Sequence, residues 1–175
     1  MPPPFSPGAS VVFIGPGTYA EYTSTTYAKA MPVPPNLSPD LAVASLLQGL
    51  TALTLIREAH PVKPGDFVLV HAAAGGTGLW LCQLLKWVGA HTIGTVSTVA
   101  KGELARANGA EWVVDYSREN VVARVKEITG GAGVVAVFDG VGKDTFDEDL
   151  EVVARKGTIV SFGNASGQVP PFTIK

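Results

Sequence analysis

The sequence predicts an α/β fold, a doubly wound parallel sheet, and three observations predict it. From Phe67 onward, five short apolar β-rich runs alternate with helical stretches. The runs carry little polar alternation, as expected of strands covered on both faces. A glycine-rich turn follows the first of them and opens a helix.

The start of the chain is different in texture. Prolines exclude helix from Met1 to Gly8, and Val11 to Ile14 and Tyr19 to Thr23 read as two short strands of a hairpin around Gly15-Pro16-Gly17. The proline-rich stretch Met31 to Pro35 then leads into a helix start. There Ser38 suits the N-cap, Pro39 the first helical position and Asp40 the positive end of the helix dipole. The helical region reaches about His60, with Gly49 as a break between two helices, and stops before Pro61 and the turn Lys63-Pro64-Gly65-Asp66.

Beyond that turn, strands are expected at Phe67 to Val70, Thr92 to Val96, Trp112 to Tyr116, Val134 to Phe138 and Thr158 to Phe162. Helices are expected at about Thr77 to Val88, Ala100 to Asn108, Glu119 to Thr129 and Lys143 to Ala154. Strand and crossover helix in strict alternation require parallel pairing, and the right-handed crossover then puts helices on both faces.

Composition narrows the function classes. A net charge of −2 supplies no basic field for a phosphate backbone, so nucleic acid is not expected as the main ligand. The longest apolar stretches are broken by Gly, His or charge before the length of a membrane span, which reads as a soluble chain without membrane partners. The N-terminus has neither a secretory nor a transit-peptide pattern, so the cytoplasm is the expected compartment. One cysteine, Cys82, and three separated histidines, His60, His71 and His91, offer no metal-ligand spacing, and no metal is expected.

The glycine turn reads Ala72-Ala73-Ala74-Gly75-Gly76-Thr77-Gly78, a G-x-G-x-x-G variant with Ala73 in the first glycine place. Gly75 and Gly78 still let the backbone turn tightly and approach a pyrophosphate, whose charge rests on free N–H groups at the helix start. Any strand-to-helix turn can need flexible residues, so position in the first βαβ unit is what gives the pattern weight. After the second strand an NAD site usually places a carboxylate for the ribose. This chain instead has Ser97, Thr98 and Lys101, two hydroxyls and a cation suited to a 2′-phosphate. That favours NADPH, against the plainer reading of Lys101 as a solvated first-turn lysine.

Taken together, His71-Ala-Ala-Ala-Gly-Gly-Thr-Gly78, the Gly-Thr-Val-Ser-Thr run ending at Lys101, Asp139-Gly-Val-Gly142 and Ser161-Phe-Gly-Asn-Ala-Ser-Gly167 resemble the zinc-free, zeta-crystallin-like quinone oxidoreductase branch of the medium-chain dehydrogenases. Gly17-Thr-Tyr-Ala-Glu-Tyr22 and Gln48-Gly-Leu-Thr51 match it too. The resemblance implies a Rossmann domain over 61–175, connecting helices over 38–60, and over 1–37 a residual fragment of a GroES-like β domain. It implies cofactor contacts at Thr51 beside the nicotinamide, at Ala74, Gly75, Gly76, Thr77 and Gly78 along the pyrophosphate, and at Ser97, Thr98 and Lys101 on the 2′-phosphate. Tyr116 would lie at the ribose-phosphate end, and Phe162, Gly163 and Asn164 along the nicotinamide.

The activity so implied is NADPH-dependent reduction of a quinone or related conjugated carbonyl, with an enone or alkenal reductase, or a module that binds NADPH without turnover, as alternatives. Much of the catalytic domain of such enzymes is not expected in this chain, so no catalytic side chain is assigned. His71 reads as a packed strand-end residue and Asp139 as the organiser of its turn. Gly140 departs from relatives that often carry a polar side chain there. The sheet is expected to end near Phe162, leaving an edge for homodimerisation or aggregation that Pro170-Pro171 blunts only partly.

Overall fold

The computed structural model describes residues 5–172, so residues 1–4 of the proline-rich start and 173–175 lie outside the described residues. The chain divides into two compact units, Met1–Thr51 and Ala52–Lys175.

In the first unit, β1 (Val11–Val12) pairs antiparallel with β2 (Met31–Pro32), with Val11 opposite Pro32 and Val12 opposite Met31. This corrects the expected hairpin, since Tyr19 to Tyr22 form bends instead of a second strand. Tyr19 and Tyr22 are exposed, and a two-stranded hairpin with no buried face has little to hold it. Helix α1 (Pro39–Thr54) starts as its sequence requires, with Ser38 Oγ accepting from Leu41 N at 3.3 Å and Asp40 in the first turn.

Gly49 does not break α1, because glycine costs a helix only about 1 kcal/mol where proline costs about three times that. A π-helical turn, Leu55–Ala59, continues it. The whole stretch Pro39–Ala59 has 21 residues and a mean hydropathy of 1.4, long and apolar enough to cross a membrane by length and composition. The expectation that every apolar stretch is interrupted earlier was therefore wrong for this helix, and the uninterrupted Gly49 is the reason. Its outward residues include Leu41, Val43, Leu47 and Leu50.

The second unit holds a five-stranded, wholly parallel sheet of β3 (Phe67–Val70), β4 (His91–Val96), β5 (Trp112–Asp115), β6 (Val134–Asp139) and β7 (Val153–Ser161). Spatially the strands run β5-β4-β3-β6-β7. The chain thus winds outward from β3 to β5, then returns to β3's other side for β6 and β7, the order of a Rossmann sheet. Between them lie α2 (Gly76–Val88), α3 (Val99–Ala107), α4 (Val121–Ile128) and α5 (Phe146–Val152).

Strand residues divide between two cores. Val68 and Val70 pack with Leu81 and Leu85 of α2 and Ala105 of α3, whereas Leu69 packs with Val121 and Val125 of α4 and Val152 of α5. Two covered faces explain why Phe67-Val-Leu-Val70 is apolar at successive positions. Two helix–strand boundaries depart from expectation. Helix α5 begins at Phe146 because the N–H groups of Lys143 and Asp144 are held by Gly167 O (3.1 Å) and Ser166 Oγ (3.0 Å). Strand β7 begins five residues early, around an irregular register between Val134 and Ala136, with Lys156 in the left-handed region at φ 69°.

Candidate functional site

The reversal of strand order places a crevice at the carboxyl ends of β3 and β6, where open α/β sheets bind ligands. Beyond β3 the chain bends sharply, with Ala72 at φ 51° and Gly75 N donating to Ala72 O at 2.8 Å. Gly75 is the N-cap of α2 and no side chain caps the helix. The first helical bond runs from Leu79 N to Gly75 O at 2.8 Å, so the N–H groups of Gly76, Thr77 and Gly78 precede it and have no helical acceptor. A Cβ on Gly78 would come within 2.8 Å of Ala73 Cα, so glycine there is what lets α2 start against the turn.

At the end of β4, Thr98 caps α3 by accepting from Lys101 N at 3.3 Å, and the Lys101 ammonium donates to Ser97 Oγ at 3.0 Å. Tyr116 follows β5, its N–H on Val96 O at 3.1 Å and its ring exposed. The fold brings Ala74, Gly75, Ser97, Lys101 and Tyr116 to one cleft of about 160 Å³, whose lining is completed by Ala72, Thr95 and Val96. None of these is a carboxylate. The volume is below the roughly 300–1,000 Å³ of a whole small-molecule site.

The third segment, Phe162, Gly163 and Asn164, leaves the end of β7 and is laced to the loop after β6. Phe162 N donates to Asp139 O (2.8 Å), Ala165 N to Gly140 O (3.2 Å) and Ser166 N to Val141 O (2.9 Å). A Cβ on Gly140 would lie 2.9 Å from the Phe162 ring, so the loop after β6 and this ring pack closely. Thr51, in the first unit, donates its hydroxyl to Leu47 O at 2.7 Å.

Asp139 organises its turn, as read from the sequence: its carboxylate accepts from Val141 N (2.7 Å), Gly142 N (3.1 Å) and Thr145 Oγ1 (3.0 Å). His71 is a buried strand-end residue, but packing is only part of its surroundings. Its Nε2 meets Asp149 Oδ1 at 2.7 Å and its Nδ1 meets Thr95 Oγ1 at 3.0 Å. Burial pushes the Asp149 carboxyl above the usual carboxylate range; the bond and charge of His71 oppose the rise and the charge of Asp139 adds to it. Asp149 Oδ2 is buried and makes no hydrogen bond among the described residues. Sequence reasoning missed Asp149 entirely, and its only signal there was an acid inside the helical pattern Phe146-Asp-Glu-Asp-Leu150.

A family model described as zinc-binding dehydrogenase matches residues 76–175, from the first turn of α2 onward. The chain belongs to the zinc-binding dehydrogenase family. Among the described residues, no three His, Cys, Asp or Glu side chains of this chain come together to hold a metal ion. A probable quinone oxidoreductase of Schizosaccharomyces pombe is 47% identical over 172 residues, which cover 98% of this chain and 52% of that protein. The quinone oxidoreductase of Salmonella typhimurium is 48% identical over 153 residues, 87% of this chain and 47% of its own length. The crystal structure of Escherichia coli quinone oxidoreductase complexed with NADPH superposes with a TM-score of 0.81 at 46% identity, covering 83% of this chain and 44% of that one. The resemblance carried by the motifs is thus borne out at the level of family and fold. The chain spans about half the length of the curated relatives it matches.

Proposed function

We propose that this chain is the cofactor-binding half of an NADPH-dependent quinone oxidoreductase that reduces quinones or related conjugated carbonyls. The observation that carries the reading is the Lys101 ammonium resting on Ser97 Oγ at the end of β4, in a cleft lined by no carboxylate and next to the uncapped start of α2. Such an arrangement favours an extra phosphate on the ribose and a diphosphate on the helix amides. The names of the relatives from Schizosaccharomyces pombe and Salmonella typhimurium, and the NADPH in the Escherichia coli structure, point the same way.

In this reading, NADPH supplies the reducing equivalents when bound. The protein's part is to hold and orient. Ala74 to Gly78 receive the diphosphate, Ser97, Thr98 and Lys101 the 2′-phosphate, and Tyr116 borders the ribose. Phe162, Gly163 and Asn164 border the nicotinamide. Residues 1–37 belong to a GroES-like domain, 38–60 to the connecting helical stretch and 61–175 to the Rossmann domain. In this reading the outward apolar residues of α1 pack against other protein of a soluble, cytoplasmic enzyme. Strand β7 lies at the sheet edge, where a second copy can add its own strand and form a homodimer.

The test is a direct titration of this chain with NADPH and with NADH, run beside NADPH oxidation with a simple quinone. Tighter binding of NADPH is expected. Equal affinities, or none for either cofactor, would overturn the assignment; binding without oxidation would leave cofactor binding as the chain's whole activity.

A further inference from the structure

The bend that presents the α2 amides is fastened from beneath, in part by His71 and Asp149, which have no part in the cofactor contacts named above. Ala72 sits at φ 51°, a conformation unfavourable for any residue with a Cβ, so the turn holds its shape only if its neighbours fix it. Three bonds do so. Gly75 N closes on Ala72 O (2.8 Å), Ala73 N is held by Thr95 O (3.0 Å), and the imidazole of His71 spans from Thr95 Oγ1 (3.0 Å) on β4 to Asp149 Oδ1 (2.7 Å) on α5. With both ring nitrogens engaged and the side chain buried, the ring has one orientation.

We propose that His71 and Asp149 are positioning residues for a nucleotide diphosphate: they anchor the bend between β3 and α2 to α5, at the angle that aims the Gly76 to Gly78 amides into the crevice. The proposal rests on the NADPH reading above. Asp149 acts as an acceptor for the imidazole, a task that an asparagine side chain can perform and an alanine cannot.

The experiment titrates NADPH and NADH into this chain and into Asp149→Ala and Asp149→Asn. Asp149→Ala is expected to weaken both cofactors by about tenfold with their ratio unchanged, because the diphosphate is common to both, while Asp149→Asn stays within about twofold of the parent. Thr95→Val removes the other grip on the ring but keeps the Thr95 carbonyl for Ala73; it is expected to shift both cofactors the same way, with Thr95→Ser restoring them. Should Asp149→Ala fail to fold, the Thr95 pair decides. Unchanged affinity in Thr95→Val and Asp149→Ala, an Asn variant as weak as the Ala variant, or a loss confined to NADPH would overturn the proposal and leave the cofactor assignment standing. Absence of binding by the parent chain would overturn both.

Discussion

The methyl of Ala73 occupies the space that a side chain on Gly94 would need, since a Cβ on Gly94 would lie 2.6 Å from Ala73 Cβ. Ala73 stands where the dinucleotide motif usually has its first glycine. In this chain the room for the close packing of turn on sheet comes from β4, where Gly94 is paired with Val70.

Gly94→Ala is therefore expected to lower stability by about 1–3 kcal/mol, the usual range for overpacking a filled core. Adding Ala73→Gly should recover most of that loss, because the methyl in the way is gone. Urea denaturation of the two single variants and the double variant reads the coupling directly. Simple additivity of the two effects would mean that the residues do not compete for one space.

Lys101→Ala is expected to erase most of the preference for NADPH over NADH and to leave NADH affinity nearly as it was. A charge-assisted hydrogen bond contributes about 1.5–3 kcal/mol, so a loss of roughly tenfold or more in NADPH affinity alone is the signature. An unchanged ratio of the two affinities would make Lys101 only a surface lysine.

Asp149 should leave a mark on the pH dependence of stability. A carboxyl whose pKa is raised by folding favours the folded state below its unfolded pKa, about 3.9, and that contribution is lost as pH rises through the raised folded value. Asp149→Asn carries no such titration. Its stability relative to the parent is expected to climb as the pH goes from the acid range towards neutrality, measured by denaturation at several pH values. A difference that stays flat with pH would show that Asp149 does not titrate differently on folding.

Cys82 is expected to resist alkylation in the folded chain. Its thiol lies in the core of α2, with Sγ 3.9 Å from Ala73 O, and burial pushes its pKa up to about 12. Little thiolate is present at pH 8, and the reagent has no path to it. Labelling with iodoacetamide should follow unfolding, and rapid stoichiometric labelling of the native chain would contradict the packing described.

Legibility differed between the parts of the chain. Strand β3 matched its expected bounds, and α2 differed by one residue at its start, since Val68, Leu69 and Val70 bury successive side chains and Gly75 breaks the pattern just before the helix. The cleft residues Ser97 and Lys101 were legible because each closely trails a strand end, where an α/β sheet presents its ligand contacts, whereas Tyr116 came only from the family resemblance. The first unit was harder to read. Tyr19 to Tyr22 alternate like a strand but have no partner, while Met31-Pro32, which looks like a linker, pairs with Val11-Val12.

By itself the sequence determined the alternation of strand and helix, the doubly covered sheet and the amide-presenting turn, because burial periodicity and glycine placement act within a few neighbouring residues. The tertiary structure alone decided the strand order β5-β4-β3-β6-β7, the fit of Ala73 into the gap at Gly94, and the grip of His71 on an aspartate 78 positions away. Hydrophobic pattern reports that a face is covered. Which side chain covers it, and which polar group meets which across the core, is fixed only when the layers close.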